Sequence, residues 1–249
     1  MSAMRRKAWL LRAIPLASKQ RREKLNKRDI ELWRGYLDDM PEQCYWSVLD
    51  ATEQAHAGKL KNALMRKRYA IAHGSLRQLL AAYLNVPPAQ IRIKKAEHGK
   101  PYLADHPELA FNISHSDGHL LIAVGWNCEL GVDIELCKDR RSLTGLVEKC
   151  FAEEEAGYWH RVPQAEKTRE FYRFWTRKEA FVKATGRGIA LGLDQCVINP
   201  ERATEFLRVP ESCGAPDQWR VRDINLGPDV CGALAAKATE IAEVQVRRL

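Results

Sequence analysis

The chain has 249 residues, 45% of them apolar and 29% charged, which are the proportions of a globular protein and exclude a disordered or collagen-like chain. The net charge is +8, yet residues 1–30 alone hold ten basic and two acidic side chains, so the rest of the chain is balanced. That distribution gives little support to a nucleic-acid-binding surface, and the longest near-apolar run, Leu120 to Trp126, is far too short to span a membrane.

Seven cysteines stand at 44, 128, 137, 150, 196, 213 and 231. Their odd number, wide spacing and lack of a CxxC pair exclude a disulfide scaffold or zinc ribbon. They predict reduced, mostly buried thiols in a cytoplasmic protein.

In chain order, residues 1–28 read as a basic, loosely ordered arm with no assigned role. Its apolar stretch Ala8-Trp9-Leu10-Leu11 stops at Arg12, too short for a secretory core. Asp29 to Asp38 predicts a short strand with Ile30, Leu32 and Leu37 as its apolar members. From Thr52 the pattern turns helical: Ala72, Leu76, Leu79, Leu80 and Tyr83 recur at three- and four-residue steps, until Val86-Pro87-Pro88 stops the helix.

Strands follow at Ile91–Ile93, Leu109–Ser114 and Leu120–Trp126, then at Leu130–Leu136. The turns between them are Gly99-Lys100-Pro101, Asp117-Gly118 and Asn127-Cys128-Glu129. Ser142 or Thr144 would cap a helix running toward Cys150. A long helix covers roughly 165–184 and ends at Gly186 and Gly188. Short strands return at Trp219–Ile224 and near Val244-Gln245-Val246. Helices and hairpins without regular βαβ alternation predict an α+β fold. Helix, strands and turns recur in the same order in both halves of the chain. This predicts two similar subdomains, 29–128 and 129–249, after the arm 1–28.

Three segments carry candidate chemistry. In Gly131-Val132-Asp133-Ile134-Glu135, strand alternation puts Asp133 and Glu135 on one face, with Val132, Ile134 and Leu136 behind them. Such a pair reads as a solvated sheet edge or as a hard-cation site. In the helix, Trp175, Glu179 and Lys183 step by four along one stripe, while Phe171, Phe174, Phe181 and Val182 cover a buried side. An amphipathic helix with a Glu-to-Lys pair explains that stripe without a ligand. Gly186-Arg187-Gly188 directly after it suits close approach to one. In Phe111-Asn112-Ile113-Ser114-His115-Ser116, the donors lie between a strand and a turn, where they read as a plain polar loop or an anion grip. Ser114 and His115 face opposite ways on an extended chain, so a Ser-His nucleophile is disfavoured. No Walker loop or GxGxxG follows any strand.

Taken in order, Gly99-Lys100-Pro101, Phe111 to Ser116, Gly131 to Glu135, and Trp175 through Lys178-Glu179-Ala180 and Lys183 to Gly186-Arg187-Gly188-Ile189 resemble the Sfp-type 4′-phosphopantetheinyl transferases, in their broad-specificity Trp/Lys-Glu-Ala branch. The resemblance runs over about 90 residues, with fainter similarity around Arg68. It implies a fold of two α+β halves related by a pseudo-twofold axis, with the active site between them. It implies transfer of 4′-phosphopantetheine from coenzyme A to a serine of an apo acyl or peptidyl carrier protein, dependent on Mg²⁺, releasing adenosine 3′,5′-bisphosphate. The carrier would serve fatty acid, polyketide or nonribosomal peptide synthesis, and the enzyme would be a cytoplasmic monomer that uses neither nucleic acid nor membrane.

By the same resemblance Asp133, Glu135 and Glu179 match the metal ligands. Lys183 matches the lysine near the transferring phosphate, and Ser114 with His115 match residues that hold coenzyme A phosphates. Lys100, followed by Pro101, matches the turn at the adenine end, and Arg68 a basic residue near the 3′-phosphate. Asp133, Glu179 and Lys183 would be catalytic, the serine proton passing to Glu179 or to a metal-bound water. Glu53 and His56 stand where relatives often carry lysines, with Lys59, Arg66 or Lys67 as possible replacements. Phe151 and Glu153 to Glu155 fall where relatives contact the carrier. The competing reading is a non-catalytic coenzyme A- or carrier-binding protein. A nucleic-acid-binding protein, resting on the leader charge alone, is the third.

Overall fold

A computed structural model describes residues 30–139, 143–238, 240–241, 244 and 246–249. The expected arm 1–28, the Ser142 cap and Gln245 lie outside the described residues. Those residues divide into two compact units, one holding 35–92 with 248–249 and the other 30–34 with 93–247.

The smaller unit contains helices α1 (Gln43–Trp46), α2 (Ala51–Lys59) and α3 (Ala63–Leu84). The single helix expected from Thr52 is therefore two. Asp50 and Glu53 cap α2 reciprocally, each side chain accepting from the other's backbone N–H, at 2.9 and 3.0 Å. The Asn62 side chain accepts from Met65 N and starts α3 afresh. All five expected apolar positions of α3, from Ala72 to Tyr83, are buried, and the helix closes on Asn85 in the left-handed region before the two prolines. Arg77 is buried in this unit, bonded to the carboxylates of Asp50 and Glu53 and donating to Ile91 O at 2.9 Å. Glu53, which the sequence comparison set against a phosphate-binding lysine, is thus the buried partner of an arginine.

The remaining elements are mainly strands. A four-stranded sheet has the order β11-β1-β5-β4, with β1 Ile30–Tyr36, β4 Leu109–Ser116, β5 His119–Trp126 and β11 Val246–Arg248. A three-stranded sheet has the order β6-β10-β9, with β6 Leu130–Leu136, β9 Trp219–Asp223 and β10 Val230–Lys237. Two small hairpins pair β2 (Ile93–Lys95) with β3 (Pro101–Leu103) and β7 (Val197–Ile198) with β8 (Phe206–Arg208). Helices α4 (Leu143–Cys150), α5 (Glu153–Arg161) and α6 (Lys167–Thr185) complete the α+β arrangement. None of the described helices is long and apolar enough to cross a membrane.

Several boundaries differ from the sequence reading, three of them in the strands before β5. The strand expected over 29–38 stops at Tyr36, because Leu37 turns fully inward under a 3-10 turn. The strand expected over Ile91–Ile93 begins at Ile93. The strand expected to end at Ser114 runs on to Ser116, because the two-residue turn Asp117-Gly118 pairs Ser116 directly with His119. Ser114, His115 and Ser116 therefore belong to the ladder and not to a loop. The compact units divide near residue 92, with β4 and β5 in the unit that holds β6. The cysteines are unbridged, but only Cys196, Cys213 and Cys231 are buried. Cys44 is exposed and the other three are intermediate.

Strand β6 is the pivot of the larger unit. Val132 and Ile134 enter one apolar cluster with Leu121, Leu130 and Leu234. On its other side runs α6, whose Phe171, Phe174 and Phe181 build a second cluster with Trp159 and Trp219. Gly131 permits this approach: a Cβ there would overlap Ala180 O and Ala184 N of the helix backbone.

Candidate active site

Strands β4 and β6 run side by side as the edges of two different sheets, joined by side chains. Asn112 Oδ1 accepts from Val132 N at 2.9 Å, and Ser116 Oγ accepts from Leu136 N at 3.3 Å. Ser114 Oγ donates to Asp133 Oδ1 at 2.8 Å, and Ser116 Oγ donates to Glu135 Oε2 at 2.6 Å. The even-numbered polar residues of β4 thus meet the two acids of β6, as the period of two requires.

Helix α6 adds a cation and a third acid. Lys183 Nζ donates to Asp133 Oδ1 at 2.5 Å and to Ser114 Oγ at 2.9 Å. Asp133 is buried, which pushes its carboxyl up against the opposing pull of Lys183 and Ser114. Glu179, one turn before Lys183, has its carboxyl raised by burial and then by the negative charge of Asp133, with a smaller push from Glu135 and a counter-pull from Lys183. Trp175 stacks on Phe171 with ring centroids 5.7 Å apart and holds the start of the stripe.

A cavity of about 300 Å³ adjoins this cluster, lined by Glu179, Lys183, Asn112, the turn from His98 to Pro101, Gly186 and Gly188. Lys100 and Pro101 line this cavity, but the Lys100 ammonium is committed. It donates to Leu130 O at 3.1 Å and to Ala184 O at 2.6 Å, at the C-terminus of α6, where a cation suits the helix dipole. Burial lowers its pKa. Its stem passes over Gly186, which ends the helix in the left-handed region (φ +70°).

His115 is exposed on the face of β4 opposite Ser114, so the two do not form one clamp. Arg68 belongs to the smaller unit, in a two-pronged ion pair with Asp38 at 2.7 and 2.8 Å. There Lys67 donates to Asp38 O at 2.8 Å and Arg66 to Leu60 O, while His56 packs on Tyr69.

Some residues that make the site were not singled out from sequence. Asn112 accepts from β6 beside Ser116, which the sequence alone reads only as a donor of an anion grip, and the alternation of 112, 114 and 116 was the available signal. Lys178, next to Glu179, points the other way: fully buried, it pairs with Glu155 at 2.6 Å and donates to Leu193 O and Cys196 O. Glu155 in turn accepts from Ala152 N and Ile198 N. Of the acids expected to face a partner, Glu155 is thus a core residue.

Among the described residues, no group of three or more His, Cys, Asp and Glu side chains is spaced to hold a metal as it stands. The chemistry nevertheless fits a hard cation. Asp133 Oδ2 is buried with no hydrogen-bond partner, and Glu179 sits in the field of two further acids. Mg²⁺ requires only one or two protein carboxylates when phosphate oxygens and water complete its shell.

Comparison with known proteins agrees on one family. Residues 129–236 match the profile of the 4′-phosphopantetheinyl transferase superfamily, and residues 33–126 match that of a 4′-phosphopantetheinyl transferase N-terminal region. The chain is 35% identical over 167 residues to the 4′-phosphopantetheinyl transferase HetI of Nostoc sp. (strain PCC 7120), covering 65% of this chain and 70% of that protein. It is 32% identical over 179 residues to a putative 4′-phosphopantetheinyl transferase of Synechocystis sp. (strain PCC 6803), covering 71% and 72%. With the 4′-phosphopantetheinyl transferase Sfp of Bacillus subtilis (strain 168) it shares 32% identity over 119 residues, 48% of this chain and 52% of the relative.

Proposed function

Because the chain belongs to the 4′-phosphopantetheinyl transferase superfamily and is an enzyme of that activity, we propose that coenzyme A is its donor and a serine of an apo acyl or peptidyl carrier protein its acceptor. The observation that supports this reading is the convergence of Ser114, Lys183 and Asp133 beside Glu135, with Glu179 and Lys183 lining an open cavity.

In this reading the carrier serine oxygen bonds to the phosphorus that bears pantetheine. The bond from that phosphorus to the adenosine-side phosphate oxygen breaks, and adenosine 3′,5′-bisphosphate leaves. Glu179, which lines the cavity, accepts the serine proton. Lys183 stabilises charge on the leaving phosphate, and Ser114 orients both Lys183 and the phosphate oxygens. Asp133, Glu135 and Glu179 would hold Mg²⁺, which when bound supplies charge neutralisation to the pyrophosphate. Lys100 shapes the adenine end through its stem and Pro101 through its ring, while Arg68 and His115 are assigned to the phosphates of coenzyme A on family resemblance. We further read 29–128 and 129–249 as the two halves of the family fold, and the enzyme as a cytoplasmic monomer.

The test uses the full chain with coenzyme A, Mg²⁺ and a panel of apo carriers, followed by intact mass spectrometry. The expected result is one phosphopantetheinyl group on the carrier serine. Lys183→Ala should lower kcat by about 10²–10³-fold, the scale of a lost transition-state donor. Coenzyme A binding with no adduct on any carrier would refute catalysis and favour the non-catalytic binding protein.

A further inference from the structure

Two of the seven cysteines meet beside the acidic strand. Cys137 Sγ, just past the end of β6, and Cys231 Sγ, on β10, lie 3.2 Å apart. The register puts Cys231 opposite Glu135, and Cys137 N bonds to Asp229 O at 2.8 Å, so the antiparallel ladder continues to the pair. By the period of two, Asp133, Glu135 and Cys137 share one face. A cavity of about 290 Å³, whose walls include Arg169, Arg173 and Asp223, reaches Cys231. Cys137 is half-buried and Cys231 buried, with the two sulfurs against each other.

We propose that Cys137 and Cys231 are a thiol–disulfide modification site whose closure displaces Glu135. A disulfide holds its sulfurs at about 2.05 Å, so closure moves them together by roughly 1 Å. The oxidant is a small disulfide of the glutathione class. The Cys137 sulfur bonds to one glutathione sulfur as the glutathione S–S bond breaks. The first glutathione leaves as a thiol, taking up the proton that Cys137 loses. The Cys231 sulfur then bonds to the Cys137 sulfur, and the second glutathione leaves with the Cys231 proton. Two protein thiols are oxidised and one glutathione disulfide is reduced; excess dithiol runs the exchange backwards.

The bridge acts on the site through β6. Glu135 lies between Cys137 and Asp133 on the same face, opposite Cys231, and is held by Ser116. Drawing position 137 toward 231 shifts that carboxylate, and misplacement on the scale of 1 Å costs up to about 10²-fold in rate. The rate effect rests on the transferase reading; bond formation does not.

The experiment treats the full chain with oxidised glutathione, alkylates the remaining thiols and maps the peptides. The expected result is a Cys137–Cys231 crosslink that dithiothreitol reverses, with the transfer rate falling at least about tenfold and recovering on reduction. Cys137→Ser and Cys231→Ser should keep the basal rate and lose the response to oxidant. Both residues remaining open to alkylation, or bonding elsewhere, would overturn the site whatever the enzyme does. A mapped crosslink with an unchanged rate would overturn the link to Glu135.

Discussion

Gly131→Ala tests how the third acid and the lysine are brought to the other groups. The single added carbon would overlap two backbone atoms of α6, Ala180 O and Ala184 N, one on either side of Lys183. Neither is a side chain that can swing away, so the helix must back off from β6 by roughly 1 Å to regain ordinary contact. Overpacking of this kind costs about 1–3 kcal/mol. The same movement pulls Lys183 Nζ from its bonds of 2.5 Å to Asp133 and 2.9 Å to Ser114, and carries Glu179 with it. Misplacement by about 1 Å costs up to 10²-fold in rate. The assay is phosphopantetheinyl transfer to a carrier under saturating substrates, beside a urea unfolding curve. We expect kcat to fall about 10²-fold in protein that is still folded. A variant that loses stability while keeping full kcat per folded molecule would refute the argument that this glycine sets the distance between strand and helix.

Two further predictions concern neighbours on α6. Lys178→Met leaves Glu155 buried without its cation, at a cost of about 3–5 kcal/mol, or a fall in Tm of about 6–20 °C; calorimetry checks this, and loss of transfer with an unchanged Tm would mean that Lys178 acts in catalysis. Glu179→Gln should stabilise the metal-free protein above the ordinary carboxylate range. The folded-state pKa of Glu179 is raised, so the wild type loses stability as pH rises through that pKa while the variant does not. Thermal melts in EDTA across pH 4–8 should show the two converging at the acid end, and a constant gap would contradict the assignment.

The strands and the acidic pair were legible because each rests on a local rule. Alternation placed Asp133 and Glu135 on one face and Val132 and Ile134 on the other, and the Asp-Gly turn marked the β4–β5 hairpin. The stripe of Trp175, Glu179 and Lys183 followed from helical spacing. What escaped were facts about what meets a residue from far along the chain. Nothing within α6 distinguishes Lys178, buried against Glu155 on α5, from Lys183, which reaches Asp133 on β6. Nothing local to Gly99-Lys100-Pro101 indicates that the Lys100 ammonium bonds the end of a helix more than eighty residues away. Likewise Glu53 reads as a surface acid of α2 until Arg77 of α3 folds against it. A charge pattern shows that a partner is needed, and only tertiary packing chooses which.

The join between β4 and β6 carries a last prediction. Two sheet edges meet there without a backbone ladder, so the N–H groups of Val132 and Leu136 depend on Asn112 and Ser116 for acceptors. Asn112→Ala removes the acceptor of a buried N–H and should cost about 1–3 kcal/mol. Asn112 also lines the cavity, so coenzyme A affinity should fall in the same variant. Asn112→Asp keeps an acceptor oxygen but adds a negative charge near Asp133 and Glu179. Its stability should fall as well, because a buried carboxylate then stands beside two others, and its affinity for anionic coenzyme A should drop further than in Asn112→Ala. Urea unfolding and calorimetric titration separate the two effects. If Asn112→Ala unfolds at the wild-type midpoint, the side-chain bridge is not what holds β6 against β4.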